Sequence, residues 1–116
     1  ADGTAVRDYI HVMDIADAHI AAFKYLEDSQ KSIALNIGTG KGSSVLEIIS
    51  VVEEVTNQKV QTLISQRREG DAIRAVADSS KAEAIVGFKT KYSDLENIIR
   101  SEWIPFIPIF ENKVAF

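Results

Sequence analysis

The sequence predicts a small α/β domain, α+β-like in character, with a small mixed sheet and flanking helices. Three observations predict it. Short apolar runs of strand character alternate with amphipathic helical stripes. Two S-x-x-E boxes, Ser44/Glu47 and Ser93/Glu96, mark helix starts. Residues suited to ending helices, Asn57 and Gly87, follow two of the stripes. With 116 residues the chain has the length of one domain, so residues 1–116 are taken as a single unit.

The elements follow in the order β-α-β-α-β-α-α. Val6 to Val12 mixes apolar and polar residues as a short strand does. Asp14 is the expected N-cap of a helix whose apolar face carries Ile15, Ala18, Ala22 and Leu26, widened by Ile20 and Phe23. Asp28-Ser29-Gln30 closes it. Ile33 to Ile37 is an apolar strand candidate running into a glycine-rich turn, GTGKGS at 38–43. From Ser44 a helix with Val45, Ile48, Ile49, Val52 and Val55 on one stripe is the strongest periodic signal in the chain. Val60, Thr62 and Ile64 alternate as a third strand. Asp78 is expected to cap a short helix bearing Ala82, Ile85 and Val86, with Gly87 as terminator. Ser93 opens the last helix, with Leu95, Ile98, Ile99 and Trp103 on its apolar face. Pro105 and Pro108 then prevent a regular helix through Ile104 to Phe110. Four apolar helical faces and three strands are expected to supply a core.

Composition excludes several classes. Hydrophobic residues make up 46% and charged residues 26%, with Gly plus Pro at only eight, which excludes disorder and collagen-like repeats. Thirteen Lys and Arg against seventeen Asp and Glu give a net charge of −4, unsuited to non-specific nucleic-acid binding. Without cysteine there are no disulfides, thiolate metal sites or thiol nucleophiles. No apolar run approaches the ~20 residues of a membrane span, and the first residues lack the pattern of a signal peptide. A cytoplasmic location is expected. The chain opens without Met in turn-like residues, and the expectation is a piece of a longer protein.

Few residues offer chemistry. The GTGKGS turn follows a strand candidate and precedes a helix, the setting of a phosphate loop. Its spacing fits neither G-x-G-x-x-G nor a Walker loop, since Lys41 is followed by Gly42. In RREGD at 67–71, paired arginines before a glycine suit a diphosphate, and Asp71 suits sugar hydroxyls. A solvated charged loop accounts for the same residues. Arg7 and Tyr9, two apart on a strand, share a face and could hold a phosphate and a ribose, or form a half-buried amphipathic strand. His11 and His19 lack metal-ligand spacing and are expected to be structural. No Tyr-x-x-x-Lys pair and no nucleophile–base pair is present, so no catalytic set is expected.

RDYIHVMDIADAHIAA (7–22), LNIGTGKGSSVLEII (35–49) and RREGDAIRAVADSSKA (67–82) resemble the C-terminal part of the UDP-glucose 4-epimerase family, within the extended short-chain dehydrogenase/reductase superfamily. The resemblance runs to about Trp103, and the tail from Ile104 departs from the pattern. It implies the C-terminal substrate-binding part of such an enzyme, with the Rossmann NAD-binding domain absent from these residues. It implies an NAD-dependent parent enzyme, a homodimer, that interconverts UDP-glucose and UDP-galactose in galactose metabolism. This fragment is then expected to be inactive alone and to bind no NAD. By resemblance Arg7 and Arg68 bind the UDP diphosphate, and Tyr9 and Asp71 contact the uridine ribose. Ala75 bounds the sugar pocket, where a small residue leaves room for UDP-N-acetylhexosamines. The 38–43 turn becomes structural. Two other readings stand beside this: a non-catalytic UDP-sugar-binding module, and a remnant that self-associates through exposed apolar surface, with Ile104 to Phe110 as a candidate contact.

Overall fold

β1 (Val6–Arg7) is the central strand of a mixed three-stranded sheet ordered β2-β1-β3. β2 (Ser43–Ser44) runs antiparallel to it, with Val6 opposite Ser44 and Arg7 opposite Ser43. β3 (Arg74–Ala75) runs parallel, with Val6 opposite Arg74 and Arg7 opposite Ala75. Around the sheet lie α1 (Val12–Ser29), α2 (Val45–Thr56), α3 (Ser80–Val86) and α4 (Leu95–Trp103). The structure, a computed structural model, describes residues 2–104. The proline-bearing tail at 105–116, including most of the candidate self-association segment, lies outside the described residues.

Helix boundaries follow local chemistry, with three shifts from expectation. α1 is capped by His11 rather than Asp14: the ring Nδ1 accepts the Met13 N–H at 3.0 Å. Asp14 lies inside the first turn, where a negative charge favours the positive end of the helix dipole. α1 ends at Gln30 in the left-handed region (φ 54), whose amide donates to Leu26 O. α2 has the expected capping box: Glu47 N donates to Ser44 Oγ at 3.1 Å, and Ser44 N to Glu47 Oε2 at 2.7 Å. Asn57 closes it, again left-handed. α3 has its N-cap at Ser79, one residue beyond the expected Asp78, though Asp78 Oδ1 still accepts the Ser80 N–H at 3.0 Å. Gly87 terminates it with φ 67. α4 is capped by Asp94, which accepts the Asn97 N–H at 2.8 Å. Ser93 does not cap α4, because its hydroxyl is bonded to Asp14 and to His11 N.

Two expected strands are not formed. Ile33, Leu35 and Ile37 are half-buried against α1 while Ala34 and Asn36 are exposed, so the alternation is present. Among the described residues no backbone lies alongside to form a ladder, and a strand is defined by that partner. At 60–64 the alternation fails altogether: Leu63 is 93% and Ile64 91% exposed. The sheet instead takes its outer strands from Ser43–Ser44 and Arg74–Ala75, segments with no apolar alternation. They are placed by backbone bonds, Val6 N to Ile73 O at 2.9 Å, Asp8 N to Ala75 O at 3.1 Å and Val45 N to Ala5 O at 3.2 Å.

The apolar core is smaller than the helical stripes led one to expect. Ala18, Ala82 and Phe88 are buried, with Ile10, Leu35, Ile37 and Val86 packed against them between α1 and α3. α2 packs on α4. Phe23, Ile20 and Ile73 remain largely exposed. The radius of gyration is 17.9 Å, against roughly 13 Å for a close-packed chain of this length.

A buried carboxylate compensates. Asp14 is fully buried and accepts from Lys91 N at 2.9 Å, Tyr92 N at 3.0 Å and the Ser93 hydroxyl. His11, also buried, joins the same junction, its Nε2 meeting Ser101 Oγ at 2.9 Å. The Ser101 hydroxyl donates to Ile98 O and the ring Nδ1 accepts from Met13, so the bonding pattern assigns the imidazole proton to Nε2. α1, the 91–93 segment and α4 are thus joined through polar groups. Burial pushes the Asp14 carboxyl up, but hydrogen bonds from Ser93, Lys91 and Tyr92, with the nearby His11, outweigh it and leave it below the usual carboxylate value.

Asp14→Asn puts an amide NH2 where an accepting oxygen stands and leaves a buried donor unmatched. It should destabilise the chain by about 2–3 kcal/mol, read as a lower midpoint in urea at neutral pH. Because the folded state holds Asp14 below its unfolded value, the unfolded chain binds the proton more tightly. Stability should therefore be retained above about pH 5 and fall as pH drops through the ordinary carboxylate range near 4. Thermal melts across that range should show the loss, and its slope should be shallower in Asp14→Asn.

Candidate functional site

The predicted site residues gather around β1 and β3. β1 carries Arg7, and its parallel pairing with β3 sets Arg7 opposite Ala75. Arg7 Nη1 donates to Val6 O at 2.8 Å, which folds the guanidinium back toward its own strand. The chain enters β3 from a turn in which Gly70 has φ 85 and Asp71 N donates to Arg68 O at 3.3 Å. A positive φ at that position suits glycine. The same turn closes an ion pair, Arg68 Nε to Asp71 Oδ2 at 3.1 Å, on an exposed surface. Arg67 Nη2 ties the loop to Gly3 O at 3.4 Å.

Arg68 and Asp71 line one cavity of about 360 Å³, with Thr4, Leu46, Ile49 and the exposed 62–66 segment as further walls. Tyr9 lines another, of about 350 Å³, with Thr39, Lys41, Ser43, Lys91 and Asp94. The structure therefore brings Arg68 to Asp71 and Arg7 to Ala75, and sets Tyr9 on a separate polar cavity. His11 and His19 are local: one caps α1, and the other meets Ile15 O one turn back. Among the described residues no group of three or more His, Asp or Glu could hold a metal ion.

Asp8 is the residue that sequence reasoning missed. Its carboxylate accepts from Thr39 N at 3.0 and 3.1 Å, Gly40 N at 3.0 Å, Ala77 N at 3.2 Å and the Thr39 hydroxyl. Burial pushes this carboxyl up, and the bonds from Thr39, Gly40 and Ala77 bring it below its ordinary value. Successive amides in a glycine-containing turn form an anion-binding concavity. Here the anion is internal. The GTGKGS turn looks like a phosphate loop because it does bind a negative charge, and Asp8 supplies it. Two glycines allow this close fit: a Cβ on Gly38 would stand 2.5 Å from Ala77 Cβ and 2.6 Å from Asp8 Oδ2, and one on Gly42 would stand 2.5 Å from Val6 Cγ1. The signal was available in the sequence, since an acidic residue between Arg7 and Tyr9 alternates to the opposite side of the strand and needs donors there.

The turn is the one described segment with a likeness to a dinucleotide cradle, and its Thr39 and Gly40 amides are already bonded to Asp8. The described residues do not fit the phosphates of NAD at this turn. The segments around β1 and β3 carry two guanidinium groups, a carboxylate, a phenol and a small side chain, with Tyr9 on a cavity separate from that of Arg68 and Asp71.

Comparison with known proteins gives consistent matches. Residues 1–38 match the profile of the NAD dependent epimerase/dehydratase family. The UDP-glucose 4-epimerase of Lacticaseibacillus casei is 48% identical over 102 residues, covering 88% of this chain and 31% of that protein. Among solved structures, the UDP-glucose 4-epimerase of Stenotrophomonas maltophila, with bound NAD and formylated UDP-arabinopyranose, superposes with a TM-score of 0.87 at 43% identity. The overlap covers 96% of this chain and 33% of that one. The enzyme from Bifidobacterium longum in complex with NAD+ and UDP gives 0.76 at 36% identity, over 92% of this chain and 32% of that one. In sequence and in fold, this chain is similar to UDP-glucose 4-epimerases and spans about a third of the length of those it matches.

Proposed function

We propose that these residues form the UDP-sugar-binding part of a UDP-glucose 4-epimerase, an enzyme that interconverts UDP-glucose and UDP-galactose. The observation that carries this reading is the 48% identity to such an enzyme across 102 residues, 88% of this chain. In this reading Arg7 and Arg68 neutralise the diphosphate through charge-assisted hydrogen bonds. Tyr9 and Asp71 contact the uridine ribose, and Ala75 bounds the sugar pocket. β1–β3 pairing supports the grouping by fixing Arg7 beside Ala75. A methyl group at position 75 leaves space for an N-acetyl substituent, so UDP-N-acetylhexosamines belong to the proposed substrate range.

NAD, when bound in such an enzyme, accepts and returns the hydride at the sugar C4. On this reading it would be held by residues other than the described ones. This chain's part is to bind the nucleotide and to orient the sugar. A cytoplasmic, homodimeric enzyme is the proposed setting. Among the described residues no helix is long and apolar enough to cross a membrane.

Titration of UDP into the chain should give saturable binding in a calorimeter. Arg68→Ala should weaken it about tenfold or more, the scale of one charge-assisted contact. Equal affinity in the variant would remove Arg68 from the site. In a coupled assay with UDP-galactose and NAD the chain alone should give no turnover, and turnover above background would contradict the assignment of hydride chemistry elsewhere.

A further inference from the structure

We propose that Asp8 is a positioning residue of the UDP-sugar site: its carboxylate holds Arg7, Tyr9 and Ala75 in fixed relation without itself touching the ligand. The proposal rests on the UDP-sugar reading given above for what the site binds. The structural part stands on geometry alone.

β1 and β3 are two residues long, and the bonds Val6 N to Ile73 O and Asp8 N to Ala75 O join them. Such a short ladder has little stability of its own. The Asp8 carboxylate reinforces it from the side. It takes the Ala77 amide, two residues beyond Ala75, and with the same two oxygens takes Thr39 N, Thr39 Oγ1 and Gly40 N. One side chain thus joins the strand that bears Arg7, and the Tyr9 that follows it, to the strand that bears Ala75, using the glycine turn as a third anchor. Gly38 shows how tightly the three are drawn together, since a Cβ there would overlap both Asp8 and Ala77. The chain between Arg68 and Ala75 leads directly into β3, so the placement of the Arg68–Asp71 turn depends on the same anchor.

Removing the carboxylate leaves three N–H groups and a hydroxyl directed at the vacated space. A small free carboxylate can occupy it, which gives the test. The chain and its Asp8→Ala variant are compared by UDP calorimetry and by amide exchange at Val6 and residue 8, each with sodium formate and with sodium chloride of equal ionic strength. The expected result for Asp8→Ala is UDP affinity weakened about tenfold, the scale seen when a group supporting a ligand contact is cut. Exchange at both amides should be faster, and formate but not chloride should restore both readouts. UDP affinity in Asp8→Ala equal to that of the parent chain overturns the proposal, as does weakened affinity that formate leaves unchanged.

If the parent chain itself binds no UDP, the UDP-sugar reading fails instead. Exchange at Val6 and residue 8 then decides the anchoring role: acceleration reversed by formate upholds it, and unchanged exchange overturns it. If Asp8→Ala fails to fold, Asp8→Asn, which keeps one accepting oxygen, is put through the same measurements without formate. Weaker UDP binding with faster exchange in a folded Asp8→Asn upholds the proposal. Unfolding of both variants overturns it, because Asp8 would then be a folding residue and not one that sets the site.

Discussion

Two carboxylates, Asp14 buried and Asp8 half-buried, do much of the joining that apolar side chains do in a larger core. Only Ala18, Ala82 and Phe88 are buried apolar residues among those described, and none of the three is branched. Contact among such residues is weakly directional and does not fix how distant segments meet. Asp14 supplies direction where α1 meets the 91–93 segment, and Asp8 supplies it where β1 meets the glycine turn and the strand beside it. A carboxylate suits this task because two oxygens accept several bonds at once, and acceptors bearing charge make the stronger ones. The cost is desolvation, met here by giving each buried oxygen a donor. No buried side-chain polar atom lacks a partner among the described residues.

The sequence made some of this legible and hid the rest for a physical reason. Helix ends depend on residues within a few positions of one another, so the Ser44/Glu47 box, Asn57 and Gly87 were found from spacing alone. Strands depend on a partner elsewhere in the chain. Ile33 to Ile37 has the alternation of a strand and no ladder, whereas Ser43–Ser44 and Arg74–Ala75 form ladders without alternation. The same division explains the caps. Ser93 has the right neighbours to cap α4, but Asp14, seventy-nine positions away, binds its hydroxyl, and Asp94 takes the role.

The site divides in a similar way. Arg68 and Asp71 lie three apart, so their pairing follows from local spacing. That Arg7 stands opposite Ala75 follows from strand register, which no local pattern specifies. The role of Asp8 is not legible from local sequence, since nothing near it in the chain marks the donors it takes. Its partners at Thr39, Gly40 and Ala77 lie thirty-one to sixty-nine positions away. The resemblance to a phosphate loop and the absence of the matching spacing have one explanation: the turn is shaped for a side-chain carboxylate, which is smaller than a phosphate and arrives on the chain itself.

If the turn binds a diphosphate as proposed, the Arg68–Asp71 pair makes that binding a displacement. An anion approaching Arg68 through Nε meets a position already taken by Asp71 Oδ2. Its net gain is the difference between two partners and not the whole attraction of a free cation. A singly charged ion gains little from such an exchange, while a ligand bearing two phosphates, with hydroxyls to occupy the released carboxylate, replaces both halves of the pair. On that reading the turn favours ligands that answer both of its charges over simple anions.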